Sequence, residues 1–121
     1  MARILIVDDS PSQLLGLKRL VEKLGHETLT AEDGAAGVEA TKREMPDLVL
    51  MDVVMPNLNG FQATRAISKD PATANIPVIL VTTKDQETDR VWGMRQGAKA
   101  YVTKPVNEAD LSKALGETLG K

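Results

Sequence analysis

A small set of polar residues stands where apolar runs of the sequence end, and their types suit phosphoryl transfer. The set is Asp8, Asp9, Asp52, Thr82 and Lys104. Carboxylates that are crowded together repel one another, and a hard divalent cation such as Mg²⁺ relieves that repulsion. An aspartate is an established nucleophile toward phosphorus, while a hydroxyl and an ammonium neutralise charge on phosphoryl oxygens. These residue types therefore predict a magnesium-dependent phosphoryl-transfer site, provided that the fold brings them together.

Each residue has an ordinary structural explanation when it is taken alone. Asp9 would help to cap a helix, Thr82 would be a β-branched strand residue, and Lys104 would be a solvated loop cation. Asp52 is harder to explain in this way, because it directly follows four apolar residues and precedes Val53. A carboxylate in such apolar surroundings needs a cation or a hydrogen-bond donor as its partner. The shared position at the ends of apolar runs favours a functional interpretation of the set.

The surrounding sequence alternates apolar, β-branched runs with segments of helical period, and the alternation occurs five times. This pattern predicts a doubly wound α/β fold with a parallel sheet and helices on both faces. The carboxyl ends of such strands meet at one edge of the sheet, where ligands bind. The predicted strands cover residues 4–7, 27–31, 48–51, 78–81 and 100–102, and the predicted helices cover residues 11–24, 34–43, 60–69, 86–96 and 108–119.

The first and last helices carry clear apolar stripes and end signals. The stripes are Leu14, Leu17, Val21 and Leu24 in the first helix, and Leu111, Leu115 and Leu119 in the last. Ser10 and Pro11 are typical of a helix start and Gly25 of a helix end, while Asn107 with Asp110 predicts the cap of the last helix. Both stripes are expected to face the sheet.

The fourth helix is predicted to bury Val91, Met94 and Ala98, which follow one another at spacings of three and four. That arrangement places Trp92 about 100° away from the buried face. Trp92 is then either an ordinary surface aromatic or a contact for a protein partner, and the sequence leaves both interpretations open.

Composition narrows the possible function classes. The chain has 121 residues, no Cys, one His and a formal net charge of -2. It therefore lacks a thiol nucleophile and a poly-His metal site, and its charge gives no basis for binding nucleic acid. No apolar run is long enough to span a bilayer, and no glycine-rich phosphate loop occurs. We expect a cytoplasmic single domain over residues 1–121 that does not hydrolyse nucleotides.

Several motifs occur together in an order that is highly specific. They are Ile4-Leu5-Ile6-Val7-Asp8-Asp9-Ser10, Asp52 followed by Met55-Pro56 and Gly60, Thr82, Gly97-Ala98, and Tyr101 three residues before Lys104-Pro105. With these motifs the whole chain resembles the receiver domains of two-component response regulators. Residues 76–106 further resemble stand-alone receivers of type IV pilus (twitching-motility) chemosensory systems. The resemblance implies a flavodoxin-type, CheY-like (βα)5 fold with strand order 2-1-3-4-5.

The resemblance implies a role for each acidic residue of the set. Asp52 would be the phosphoacceptor. Asp9 would bind Mg²⁺ directly and Asp8 would act through a water molecule. The backbone carbonyl of Val54 would complete the protein ligands of the ion.

The resemblance also implies a conformational switch. Thr82 and Lys104 would contact the phosphoryl oxygens, and the Lys104-Pro105 peptide bond would be cis. On phosphorylation Thr82 would move toward the phosphoryl group and Tyr101 would turn inward. The surface formed by the fourth helix, the fifth strand and the fifth helix would then change.

Two positions depart from the common pattern of the family. Thr83 stands where a small residue usually follows the switch hydroxyl, and its β-branched side chain would narrow access to Asp52. Val54 cannot hold an attacking water through a side-chain hydrogen bond. We expect both residues to change the lifetime of the aspartyl phosphate.

The implied phosphodonor is a histidine kinase of the CheA-like kind, acting on a monomer that has no output domain, nucleic-acid ligand or membrane contact. Such a protein is a signalling module with slow self-dephosphorylation and not a turnover enzyme. A phosphate sink for a shared kinase and a degenerate receiver are alternatives, although the polar set is intact. A further alternative is a magnesium-dependent phosphatase with an aspartyl intermediate. Such an enzyme usually has a second Asp two residues after the first, and because this chain has Val54 there, the sequence does not favour it.

Overall fold

The computed structural model describes residues 1–120, and these form a five-stranded parallel sheet with the strand order β2-β1-β3-β4-β5. Five helices alternate with the strands, which confirms the predicted doubly wound fold. The elements are β1 Arg3–Val7, α1 Pro11–Lys23, β2 Glu27–Ala31, α2 Gly34–Glu44, β3 Leu48–Met51, α3 Gly60–Lys69, β4 Val78–Thr82, α4 Glu87–Arg95, β5 Ala100–Thr103 and α5 Glu108–Leu119.

Helices cover both faces of the sheet, and successive strand residues point alternately to the two faces. Ile4 and Ile6 of β1 contribute to the core under α1 and α5, whereas Leu5 and Val7 contribute to the core under α2 and α3. The strands β1, β3 and β4 are apolar almost throughout for this reason. No helix within residues 1–120 has the length and apolarity needed to cross a membrane.

The predicted stripes of α1 and α5 lie against the sheet. Leu17 and Val21 of α1 are buried, and Leu111 and Leu115 of α5 are buried in the same cluster. The remaining stripe residues are half-buried at its margin: Leu14, Leu24 and Leu119. Each helix is therefore held to the sheet by apolar side chains.

Helix starts follow the predicted signals with one difference. Asn107 caps α5 by accepting a hydrogen bond from the Asp110 N–H at 2.7 Å. Ser10 occupies the N-cap position of α1, but its side chain makes no capping hydrogen bond. Its N–H instead donates to Asp8 Oδ1 at 2.9 Å. The start of α1 is thus tied to one of the candidate site residues.

The predicted buried face of α4 is wrong in two of its three residues. Val91 and Met94 are 43% and 47% exposed, while Ala98 is buried just beyond the helix. The helix packs through Gly93 instead, and a Cβ at that position would lie 2.6 Å from Leu80 Cδ1. A close backbone approach therefore replaces the apolar side-chain contact that the spacing predicted. Trp92 lies outside the core, as expected.

Candidate functional site

The candidate site residues are placed by hydrogen bonds that extend the sheet past its strands. The N–H of Asp8 donates to the Ala31 carbonyl at 3.1 Å, and the N–H of Asp52 donates to the Val7 carbonyl at 2.9 Å. At the other side, the N–H of Lys104 donates to the Thr82 carbonyl at 2.8 Å. These three site residues therefore stand at the carboxyl edge of the sheet, as the topology predicts.

Three carboxylates converge at this edge. One oxygen from each of Asp8, Asp9 and Asp52 lies within 4.8 Å of the others. Asp8 and Asp52 are buried, and Asp9 is exposed at the entrance. Mg²⁺ favours a small number of carboxylates completed by water and phosphate oxygens. The donor set therefore fits a hard divalent cation, and this chemistry agrees with the sequence-based prediction.

Lys104 is the cation that faces these carboxylates. Its ammonium donates a hydrogen bond to Asp8 Oδ2 at 2.9 Å and lies 3.4 Å from Asp52 Oδ1. The Lys104 side chain is only 11% exposed, so its attraction to both carboxylates is weakly screened by solvent. One ammonium against three carboxylates leaves an excess of negative charge at the edge of the sheet. That excess is what a divalent cation would neutralise.

The ionisation of Asp52 reflects these surroundings. Burial is the largest influence and raises the pKa of the Asp52 carboxyl above its ordinary value, and the nearby Asp8 raises this pKa further. The Lys104 ammonium and the hydrogen bond from the Val53 N–H act in the opposite direction. Burial therefore outweighs the attraction of Lys104 at this carboxyl.

Gly60 allows the segment that carries Asp52 to pack closely against the start of α3. Its N–H donates to the Val53 carbonyl at 2.9 Å. A Cβ at Gly60 would lie 2.1 Å from the Asp52 carbonyl oxygen and 2.7 Å from Val53 Cα. These are backbone atoms, and they cannot move aside as the end of a flexible side chain could. The glycine in the motif is therefore required by the position of the acidic residue.

Thr82 and Tyr101 are connected through one residue of the loop after β4. The Lys84 N–H donates to Thr82 Oγ1 at 3.2 Å, and the Lys84 carbonyl accepts a hydrogen bond from the Tyr101 hydroxyl at 2.7 Å. The Tyr101 ring is half-buried against the core and lies 5.1 Å from the guanidinium carbon of Arg90 in α4. The backbone of Lys84 therefore links the Thr82 hydroxyl to the Tyr101 hydroxyl. Nothing in the sequence pattern singled out Lys84.

The remaining candidate residues are Thr83, Val54, Pro105 and Trp92. Thr83 is exposed and, together with Lys104 and Pro105, lines a groove of about 470 Å³ beside the site. The Val54 side chain is 55% exposed. The Lys104-Pro105 peptide bond is cis. Trp92 is separate from this group, on the outer surface of α4.

Gln13 is a site residue that the sequence pattern did not reveal. Its side-chain oxygen accepts a hydrogen bond from the Lys104 ammonium, although the two residues are 91 positions apart in the chain. Gln13 lies in the first turn of α1 and is largely exposed. No local motif marks such a residue, because only the folded topology brings α1 next to the loop after β5.

Comparison with known proteins identifies the class to which this fold and site belong. The response regulator receiver domain family matches residues 4–116, so the chain belongs to that family. Receiver domains are signalling modules that accept phosphoryl groups from histidine kinases. Among its relatives, Protein PilH of Pseudomonas aeruginosa is 60% identical over 119 residues, which cover 98% of each chain. The response regulator PleD of Caulobacter vibrioides is 38% identical over 110 residues, and these cover only 24% of that longer protein.

Solved structures agree with the family membership. The chemotaxis protein CheY4 of Vibrio cholerae has a TM-score of 0.90 at 29% identity and is matched over 98% of both chains. The receiver domain of a Pseudomonas aeruginosa sensor histidine kinase has a TM-score of 0.90 at 29% identity, over 99% of this chain and 98% of its own. That relative was crystallised with a magnesium ion coordinated in its active-site cleft. The CheY-like fold inferred from the sequence is therefore confirmed.

Proposed function

We propose that the protein is a stand-alone, monomeric cytoplasmic response regulator that accepts a phosphoryl group on Asp52. The observation that carries this proposal is the convergence of three carboxylates within 4.8 Å, two of them in contact with the Lys104 ammonium. Asp8, Asp9, Asp52 and the backbone carbonyl of Val54 would hold Mg²⁺. The ion, when bound, would neutralise charge on the phosphoryl oxygens as the group transfers.

In the proposed step, one oxygen of the ionised Asp52 carboxylate attacks the phosphorus atom of the donor. A new oxygen–phosphorus bond forms while the bond from phosphorus to the kinase histidine nitrogen breaks. The electron pair of the broken bond stays on the departing imidazole, which takes up a proton from solvent. Lys104 and Thr82 supply an ammonium and a hydroxyl for the phosphoryl oxygens, so the protein contributes positioning and charge.

The signal would leave through the surface of α4, β5 and α5. The hydrogen bonds at Lys84 support this route because they join Thr82 to Tyr101 without an intervening side chain. A phosphoryl group that draws Thr82 Oγ1 toward Asp52 would compete with the bond from the Lys84 N–H. Tyr101 and the α4 residue Arg90 beside it would respond, with Trp92 as a candidate partner contact on the same helix.

The lifetime of the phosphorylated state would depend on Thr83 and Val54. Thr83 lines a groove together with Lys104, and its β-branched side chain would narrow the approach of a donor or water to Asp52. Val54 is an exposed apolar residue two positions after Asp52, and its side chain offers no hydrogen bond to an attacking water. Replacing Thr83 with Ala, or Val54 with Asn, should therefore change the rate of phosphate loss.

The biological setting we propose is type IV pilus, or twitching-motility, control with a CheA-like kinase as the phosphodonor. The 60% identity to PilH, which extends over 98% of each chain, supports this assignment.

Intact-mass measurement after incubation with acetyl phosphate and Mg²⁺ tests the phosphoacceptor assignment. The wild-type protein should gain the mass of one phosphoryl group, and chelation of the metal should prevent the gain. Asp52→Asn should gain none. Asp47→Asn, a change at an exposed aspartate, is the matched control and should behave as wild type. A wild-type protein that stays unmodified, or an Asp52→Asn variant that is still phosphorylated, would contradict the assignment.

A further inference from the structure

The Lys104 ammonium has three N–H donors, and three side chains in the structure supply oxygen atoms to it. Two are the carboxylates of Asp8, at 2.9 Å, and Asp52, at 3.4 Å. The third is the amide oxygen of Gln13 in α1. The position of the ammonium is therefore defined from both sides of the site, by the strand ends and by the first helix.

These three acceptors differ in whether they would also bind the divalent cation. Asp8 and Asp52 belong to the carboxylate cluster that fits a divalent cation, whereas Gln13 offers the oxygen of a neutral amide. A cation that draws the carboxylate oxygens toward itself weakens their hold on Lys104. Gln13 is the acceptor among the three that remains available to the ammonium.

The start of α1 is well placed for such a role. Pro11 at the first helical position restricts the backbone, and the Ser10 N–H donates to Asp8 Oδ1 at 2.9 Å. Further along the helix, Leu17 and Val21 hold it to the sheet. Gln13 therefore projects from a fixed element, and a fixed element positions a side chain more precisely than a loop does.

We propose that Gln13 is a positioning residue that holds the Lys104 ammonium at the phosphoacceptor while Asp8 and Asp52 are engaged with the metal. The inference rests on the proposed phosphoryl transfer to Asp52 and deepens it. In this role Gln13 would contact Lys104, and neither the phosphoryl group nor the metal. It acts by keeping Lys104 in place as charge develops on the phosphoryl oxygens.

The test compares Gln13→Met, which keeps the side-chain length but removes the acceptor, with Gln13→Glu, which keeps an acceptor oxygen. Gln86→Met, at an exposed glutamine without a capping hydrogen bond, is the matched control. The phosphorylation rate with acetyl phosphate is measured at saturating Mg²⁺, and Mg²⁺ affinity is measured separately by calorimetry with the metal alone. Gln13→Met should lower the maximum rate about fivefold to tenfold and leave Mg²⁺ affinity unchanged. Gln13→Glu should retain the maximum rate, and Gln86→Met should match wild type.

A wild-type rate in Gln13→Met would overturn the inference, as would a loss of Mg²⁺ affinity proportional to the loss of rate. A rate lost equally in Gln13→Met and Gln13→Glu would also contradict it, because the acceptor oxygen would then be irrelevant. In each case phosphorylation of the wild-type protein, and its absence in Asp52→Asn, would leave the proposed function standing. If the wild-type protein is never phosphorylated, the proposed function itself fails.

Discussion

Helices α1 and α4 flank the same sheet, yet they are attached to it in opposite ways. In α1 the side chains of Leu17 and Val21 are buried at 7% and 0% exposure. In α4 the buried residue is Gly93, and Val91 and Met94 point to solvent. One helix is anchored by apolar side chains and the other by a close approach of its backbone.

This difference matches the tasks proposed for the two helices. Helix α1 carries Gln13 and begins at the carboxylate cluster, so it must stay in place while chemistry proceeds. Helix α4 carries Arg90 over the Tyr101 ring and lies where the signal would leave. Regions with few buried apolar contacts open at a lower free-energy cost than core elements do. The weak packing of α4 therefore suits the response to Thr82 that we propose for this helix.

The largest expected effect comes from shortening a buried side chain of α1. Leu17→Ala should lower the free energy of unfolding by about 2–4 kcal/mol, because it removes buried methyl groups and leaves a cavity. Leu15→Ala on the exposed side of the same helix is the control and should change stability by less than about 0.5 kcal/mol. Urea denaturation of both variants measures the difference. Equal effects would show that the stripe does not anchor α1.

Helices α4 and α1 each contain a glycine, and replacing each with alanine compares their packing more sharply. Gly93→Ala places a Cβ against Leu80 and Tyr101, so the clash should outweigh the gain in helix propensity and destabilise the protein by about 1 kcal/mol. Gly16→Ala in α1 meets no atom within 4 Å and should stabilise the protein by up to about 1 kcal/mol. Shifts of the two denaturation midpoints in opposite directions from wild type would support the packing described for α4. A stabilised Gly93→Ala variant would contradict it.

A smaller effect is expected from the charge of Asp52 in the absence of metal. The pKa of this carboxyl is raised in the folded state. At pH values between the unfolded and the folded pKa, the folded protein therefore holds a proton that the unfolded chain has released. The free energy of unfolding therefore falls as the pH rises from the unfolded pKa of about 3.9 through the folded pKa. Above the folded pKa the destabilisation by Asp52 is complete. Asp52→Asn should therefore be more stable than wild type at neutral pH, and the gain should shrink on acidification. Denaturation across this pH range, with Asp47→Asn as reference, checks the sign.

The smallest effect should come from the outer surface of α4. Met94→Ala removes a side chain that is 47% exposed and should change the free energy of unfolding by less than about 0.5 kcal/mol. The same denaturation assay measures it. A loss above about 1.5 kcal/mol would mean that Met94 is a core residue, as its spacing predicts.

The fold follows closely from the sequence because its central strands β1, β3 and β4 are buried on both faces. The apolar runs end at a polar residue, and the parallel topology brings those ends to one edge whatever the details of packing. The amino-acid sequence alone therefore suffices to place Asp8, Asp52 and Lys104 together. Their convergence depends on topology and not on side-chain conformation.

Two features depend on packing and do not follow from periodicity. The spacing of Val91 and Met94 predicts a buried face only if helices pack through apolar side chains, and α4 packs through Gly93. The contact of Gln13 with Lys104 joins residues 91 positions apart, so no local pattern reports it. In both cases the missing information is which surface of a helix lies against which neighbouring element of the fold.

We propose that a phosphoryl group on Asp52 changes the surface of α4 while α1 stays in place. Hydrogen–deuterium exchange with acetyl phosphate and Mg²⁺ present throughout, with Asp52→Asn treated identically, tests it most directly. We predict altered exchange in the peptides of α4 and β5, unchanged exchange in the α1 peptides, and no change in either region of Asp52→Asn. Unaltered α4 exchange in protein that mass measurement shows to be phosphorylated would contradict the claim.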